Sequence, residues 1–131
     1  MSNDHHSNLV CKVFLLAALM VLSGCNLQSA EVPRLRITNN GSVPINNLVV
    51  IFPQDRIEFG NIPAGTTTDY KDVPNGVFSY AAYQFDVDGE TITQPVIDWV
   101  GESPMSGILF TYTIDFDPGA RIQLIHVKND D

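Results

Sequence analysis

The sequence predicts an all-β fold, an antiparallel β-sandwich of about seven to eight strands over residues 34–131. Three observations carry this prediction. Turn-forming residues such as Asn39-Asn40-Gly41 and Pro74-Asn75-Gly76 recur roughly every ten to fifteen positions, which is the spacing of strands. Apolar and polar residues alternate between these turns. No window carries the sustained repeat of an amphipathic helix.

The first half of this region provides three strand segments. Leu35 and Ile37 alternate with polar neighbours, and so do Ile57 and Phe59, which predicts two half-buried strands. The segment 48–52 is apolar at every position, so we expect it to be covered on both faces and to lie centrally in its sheet.

The second half provides a hairpin and the clearest strand. An Asp88-Gly89 turn would pair Val87 with Glu90 and Phe85 with Ile92. This register places the aromatic ring of Phe85 and its aliphatic partner Ile92 on the same face of the hairpin as Val87. Residues 110–116 alternate strictly, and Ile122 and Leu124 begin the expected return strand. Because so many short strands cannot bury their apolar faces in one open sheet, two packed sheets are expected.

The N-terminus has the order of a secretory leader. Lys12 precedes the wholly apolar segment 13–22, and the small residues Ser23 and Gly24 follow it. Ten residues in a helix span roughly 15 Å, about half of a hydrocarbon core of about 30 Å. This segment therefore predicts a cleaved signal helix rather than a permanent transmembrane helix.

Leu22-Ser23-Gly24-Cys25 resembles the lipobox of bacterial lipoproteins. The resemblance implies that Leu22, Ser23 and Gly24 are read by the signal peptidase, and that Cys25 is attached to lipid and becomes the new N-terminus. It implies acyl chains such as palmitate, and two or more of them make anchoring stable. An ordinary secretory leader with a chance cysteine is the alternative. Asn26 is not the Asp of inner-membrane retention signals, which favours the outer membrane in a Gram-negative organism.

These signals divide the chain into a signal peptide (1–24), a lipidated cysteine with a short spacer (25–33), and the sandwich domain (34–131). The domain resembles immunoglobulin-like modules of bacterial cell-surface proteins. Three segments carry the resemblance: Ile37 to Gly41 as an opening strand and turn, Ile62 to Thr66 as a mid-domain turn, and Asn75 to Tyr80 as a corner before a strand. The cysteine pair of antibody domains is absent, which leaves the strand order open.

Charge and composition exclude several functions. The formal charge is −8, and loss of the leader would remove one acidic and one basic residue, so the protein should not bind nucleic acid or anionic lipid. The mature part keeps a single histidine, His126, and Met105 stands where a nucleophile elbow around Ser103 requires glycine. We therefore expect no enzyme activity, no cofactor and no catalytic metal.

Two weaker candidates remain. Acidic residues gather near the Asp88-Gly89 turn and around Asp117, where ordinary turn chemistry is favoured over calcium binding. Trp99, between Asp98 and a glycine-containing loop, is the best candidate for an exposed ligand-binding aromatic. The sequence predicts a monomeric, membrane-anchored envelope protein that binds an envelope protein or polysaccharide or has a structural role; a small carbohydrate- or ligand-binding module is the alternative.

Overall fold

The computed structural model describes residues 29–96, 98–119 and 121–131. The leader, the lipobox residues Leu22 to Gly24 and Cys25 lie outside these residues, and so does the predicted signal helix. Within the described part, eight strands follow one another along the chain. They are β1 (Arg34–Asn39), β2 (Ile45–Ile51), β3 (Arg56–Ile62), β4 (Lys71–Asp72), β5 (Ala82–Val87), β6 (Glu90–Gln94), β7 (Leu109–Asp115) and β8 (Gln123–Asn129).

The strands form two four-stranded sheets with the orders β4-β1-β7-β8 and β3-β2-β5-β6. Side chains from both sheets build one continuous hydrophobic core. The predicted class, an all-β sandwich of seven to eight strands, is confirmed. None of the described segments is a helix long and apolar enough to cross a membrane.

The core follows from the period-two pattern. In β1, Leu35 and Ile37 are fully buried while their neighbours are partly or fully exposed. In β7, Phe110, Tyr112 and Ile114 are buried, and so is Thr111 between them. The segment 48–52 lies on the central strand β2 and just beyond it, and it is buried except for Ile51, as predicted for a strand covered on both faces.

The predicted hairpin is confirmed in its register. Strands β5 and β6 pair Val87 with Glu90 and Phe85 with Ile92. Asp88 and Gly89 both have positive φ angles, 49° and 82°, which is the conformation of a type I′ turn. The return strand after residue 122 also pairs with β7 as expected.

One strand pair departs from the antiparallel pattern, and the sequence analysis had left the strand order open. Strands β1 and β7 are parallel, with Leu35 opposite Phe110 and Ile37 opposite Tyr112. The two strands lie far apart in the chain, so no hairpin fixes their direction. Strand β2 also carries a bulge at Asn47, whose φ angle is 48°, and the register against β3 and β5 shifts there.

Candidate functional site

Trp99, the residue singled out from the sequence, lies in the loop between β6 and β7. The loop forms a tight turn in which the Glu102 amide donates to the Trp99 carbonyl at 3.1 Å and Gly101 adopts a φ angle of 81°. The Val100 amide donates to Oδ1 of Asp98 at 2.8 Å. The turn is therefore held by its own polar groups, with Val100 at its tip.

The indole of Trp99 fixes this turn to the sandwich. Its ring stacks on Tyr80 at 5.0 Å between centroids with an interplanar angle of 12°, and meets Phe78 at 5.3 Å and 71°. The Tyr80 hydroxyl donates to the Asp98 carbonyl at 3.0 Å. Trp99 is half-buried against the core, so it is neither a core tryptophan nor a freely exposed one.

Beside Trp99 lies a cleft of about 300 Å³, which we call the aromatic cleft. Three loops supply its walls: the β2–β3 loop, the loop from β4 to β5 and the loop from β6 to β7. Its lining combines aromatic rings and prolines with a polar rim. The lining residues are Phe52, Pro53, Gln54, Asp55, Asn75, Phe78, Trp99, Glu102 and Pro104.

Specific contacts hold the three loops together. Asp55 accepts hydrogen bonds from the backbone amide and the Nδ2 of Asn75, at 2.9 and 3.0 Å. The Met105 amide donates to the Val77 carbonyl at 2.7 Å. A Cβ on Gly76 would lie 2.5 Å from Cβ of Pro104, so only glycine allows the two loops to approach this closely.

The floor of the aromatic cleft is rigid and apolar. Phe52 and Phe78 stack at 5.9 Å with an interplanar angle of 28°, and both are buried. The Phe78 carbonyl accepts a hydrogen bond from the buried hydroxyl of Tyr112 on β7. The cleft is therefore braced from the core as well as from its loops.

The rim is acidic. Asp55 and Glu102 both line the cleft, and none of its described lining residues is basic. Partial burial, followed by the neighbouring carboxylates of Glu102 and Asp98, raises the pKa of the Tyr80 hydroxyl. An anionic ligand would meet the same repulsion, so the chemistry of the cleft favours neutral or cationic groups.

At the acidic β5–β6 hairpin, the carboxylate of Asp86 is engaged in structural hydrogen bonds. Asp86 accepts hydrogen bonds from Nδ2 of Asn47 and from the Thr91 hydroxyl, both at 2.7 Å, and these bonds lower its pKa. In the part of the chain that the structure describes, no three His, Cys, Asp or Glu side chains gather as a metal site would require. The carboxylate of Asp86 instead fixes the bulge of β2 to the neighbouring strand.

A second polar cluster, which the sequence did not indicate, surrounds Asp130. Its Oδ2 accepts hydrogen bonds from the Tyr70 hydroxyl at 2.8 Å and from the Thr111 hydroxyl, and its Oδ1 lies 2.9 Å from Nζ of Lys128. Burial raises the pKa of Asp130, but the hydrogen bonds from Thr111, Lys128 and Tyr70 and the charge of Lys128 outweigh it, and the pKa is about 2. These contacts tie Asp130 to the Tyr70 and Thr111 side chains, so the cluster fixes the chain just after β8.

No protein-family model matches this chain, and neither a curated protein nor a solved structure matches it. The residues themselves therefore carry the functional argument. Trp99 could be selected from sequence because it is the only tryptophan and has turn residues around it. Its partners Phe52, Asp55 and Asn75 could not, because they come from distant turns that look like ordinary loops.

Proposed function

We propose that this protein is a lipid-anchored, extracytoplasmic β-sandwich lipoprotein without enzymatic activity, whose role is to bind another component of the cell envelope. In a Gram-negative organism its place would be the outer membrane. The leader and Leu22-Ser23-Gly24-Cys25 support the anchor. The loop end that carries the aromatic cleft and Val100 supports the interaction.

The observation that carries the interaction is the exposure of Val100. Val100 is 87% exposed, although the turn beneath it is fixed by the Asp98 carboxylate and by the stacked ring of Trp99. Because the backbone of this turn is already held in place, a partner that covers Val100 has little loop to order, and covering the side chain removes apolar surface from water. Val100 and the aromatic cleft together give this loop end an apolar centre with a polar rim, which is the arrangement of a protein interface.

The point at which the chain enters the sandwich supports a partner close to the membrane. The Val73 amide donates to the Pro33 carbonyl at 2.8 Å, and the Arg34 amide donates to the Ile108 carbonyl at 2.7 Å. Val73 and Ile108 belong to two of the loops that build the aromatic cleft. Pro33, the last residue of the proposed spacer, is thus bonded to one of the loops that supply the walls of the aromatic cleft.

The anchor is tested by labelling with a radioactive or clickable fatty acid in the producing cells. Replacing Cys25 by Ser should abolish labelling and leave the leader uncleaved. Cys11→Ser is the matched control, because it removes the other cysteine of the chain and should leave labelling unchanged. Label retained in Cys25→Ser would refute the anchor.

The interaction is tested by a photo-crosslinking amino acid placed at Val100 in living cells. We expect a discrete protein adduct of defined mass from this position. A crosslinker at Glu90, exposed in the β5–β6 hairpin, is the control and should give no such adduct. Identical patterns from both positions, or none from either, would contradict an interface at Val100.

A second candidate function is a small carbohydrate-binding module, and the aromatic cleft is the observation that favours it. Half-buried Trp99 together with the polar groups of Asp55 and Asn75 could stack on and hydrogen-bond a neutral sugar. Fluorescence of Trp99 during titration with neutral oligosaccharides tests this candidate. The parent protein should show a saturable change in Trp99 fluorescence as sugar is added. The Trp99→Phe variant has no tryptophan to report binding, so its sugar affinity is measured by calorimetry and should be weaker. These two results together would establish sugar binding at the aromatic cleft.

A further inference from the structure

We infer that the aromatic cleft receives a cationic side chain, an arginine or a lysine, from the protein partner. The inference rests on the proposed interaction at the loop end and assigns the chemistry of the group that enters the cleft. Three features of the cleft carry it: its aromatic walls, its acidic rim and its size.

The wall that an incoming cation can reach is the half-buried ring of Trp99. A cation within about 6 Å of a ring centroid is attracted by the ring quadrupole. Trp99 is in edge-to-face contact with Phe78, at 71° with centroids 5.3 Å apart. Because Phe78 and its stacked neighbour Phe52 are buried, the indole rests on a fixed base.

The rim selects for positive charge. Asp55 lines the cleft and is held in place by two hydrogen bonds from Asn75, one to each carboxylate oxygen, and each oxygen can accept a further hydrogen bond. Glu102 is exposed at the opposite loop and adds a second carboxylate. None of the described lining residues is basic, so the two carboxylates have no positive partner within the cleft. A guanidinium or ammonium group from the partner would supply the opposite charge.

The size of the cleft suits one side chain. Its volume of about 300 Å³ is at the lower limit of pockets that enclose small molecules. The methylene stem of arginine or lysine would lie against Pro53 and Pro104 while the charged end reaches the rim.

Val100 decides between a protein and an amine-bearing sugar as the source of the cation. It lies one residue from Trp99 and is 87% exposed. A protein surface can cover this apolar side chain with apolar groups, whereas a saccharide offers mostly hydroxyls. Charge complementarity in the cleft and apolar contact beside it together fit a basic protein segment.

The test uses the full chain in detergent and the fluorescence of Trp99, the only tryptophan. The probes are Nα-acetyl-arginine amide and Nα-acetyl-lysine amide, with neutral Nα-acetyl-citrulline amide as the matched control. We expect saturable changes with at least one cationic probe, binding at least tenfold weaker for citrulline, and weakening by added salt. Equal binding of citrulline, or no binding of either cation, would overturn the inference.

Variants locate the effect. Glu102→Gln removes an exposed rim carboxylate and should weaken binding of the cationic probe severalfold, and Asp55→Asn should do the same if its loop remains folded. Glu58→Gln, an exposed carboxylate of β3 outside the aromatic cleft, should leave binding unchanged. Equal loss in all three, or no loss in Glu102→Gln, would contradict a specific site.

Two further results separate this inference from the proposed function. Crosslinks from Val100 that persist while the cationic probes fail to bind would refute the cation and leave the interaction standing. Preference for a glucosamine oligomer over the arginine and lysine probes would refute the protein source and favour the carbohydrate alternative.

Discussion

Two tyrosine hydroxyls in the same core should respond in opposite ways to removal. Tyr83 on β5 is 2% exposed, and its hydroxyl has no hydrogen-bond partner among the described residues. Tyr112 on β7 is fully buried, and its hydroxyl donates to the Phe78 carbonyl. Burial raises the pKa of both hydroxyls above the ordinary value of about 10, so both stay neutral in the folded protein even in alkaline solution.

The expected free energies follow from this difference. Burying a hydroxyl without a partner costs about 1–3 kcal/mol, so Tyr83→Phe should be neutral or stabilise the fold by up to about 1 kcal/mol after a small packing loss. Tyr112→Phe removes a hydrogen bond and leaves the Phe78 carbonyl buried without a partner, which should cost about 1–3 kcal/mol.

Urea unfolding of the two variants and the parent protein measures both changes in one series. In a domain of this size, 1 kcal/mol corresponds to a shift of roughly 4–8 °C in Tm, so thermal unfolding should separate the two variants clearly. Destabilisation of Tyr83→Phe by as much as Tyr112→Phe would refute the reasoning, because it would mean that the Tyr83 hydroxyl is satisfied in the folded protein.

Two other predictions concern stability. The pKa of Asp130 is lowered to about 2, so ionised Asp130 contributes about 2 kcal/mol to the free energy of unfolding above the pKa of the unfolded state, and this contribution is lost as pH falls through the folded pKa. Asp130→Asn should therefore lower stability at pH 7. It should also make the free energy of unfolding fall less steeply between about pH 5 and 2, as measured by unfolding at a series of acid pH values. An unchanged acid profile would contradict it. Gly76 and Gly65 both have positive φ angles, 95° and 72°, but a Cβ on Gly76 would lie 2.5 Å from Pro104 whereas a Cβ on Gly65 would meet free space. In urea unfolding, Gly76→Ala should therefore lower the free energy of unfolding by roughly 1–3 kcal/mol more than Gly65→Ala. Equal costs would show that the two loops do not depend on close approach.

The sequence predicted features that depend on near neighbours. The Asp88-Gly89 turn fixes the register of β5 and β6 because both residues accept positive φ angles and the flanking strands alternate. The two-layer class followed from the period-two pattern in the same way. Both depend on a few consecutive residues.

The features that escaped prediction all depend on distant residues. The parallel pairing of β1 with β7 places Leu35 opposite Phe110, two residues that are far apart in the chain. The alternation of residues within each strand does not indicate whether the two strands run parallel or antiparallel. The bulge at Asn47 is stabilised by Asp86 from another strand. The aromatic cleft needs Asp55 and Trp99 from loops far apart in the chain, so only the assembled sandwich brings them together.

The hydrogen bonds at Pro33 and Arg34 also define a path for mechanical load. If the domain is tethered through residue 25 and held by a partner at Val100, tension passes from Pro33 to the Val73 loop and from Arg34 to Ile108, and so to the loops of the interface. Arg34 is also the first residue of β1, and Ile108 directly precedes β7. A pull between membrane and partner would therefore reach the first residues of the parallel β1–β7 pair, where Arg34 lies opposite Leu109.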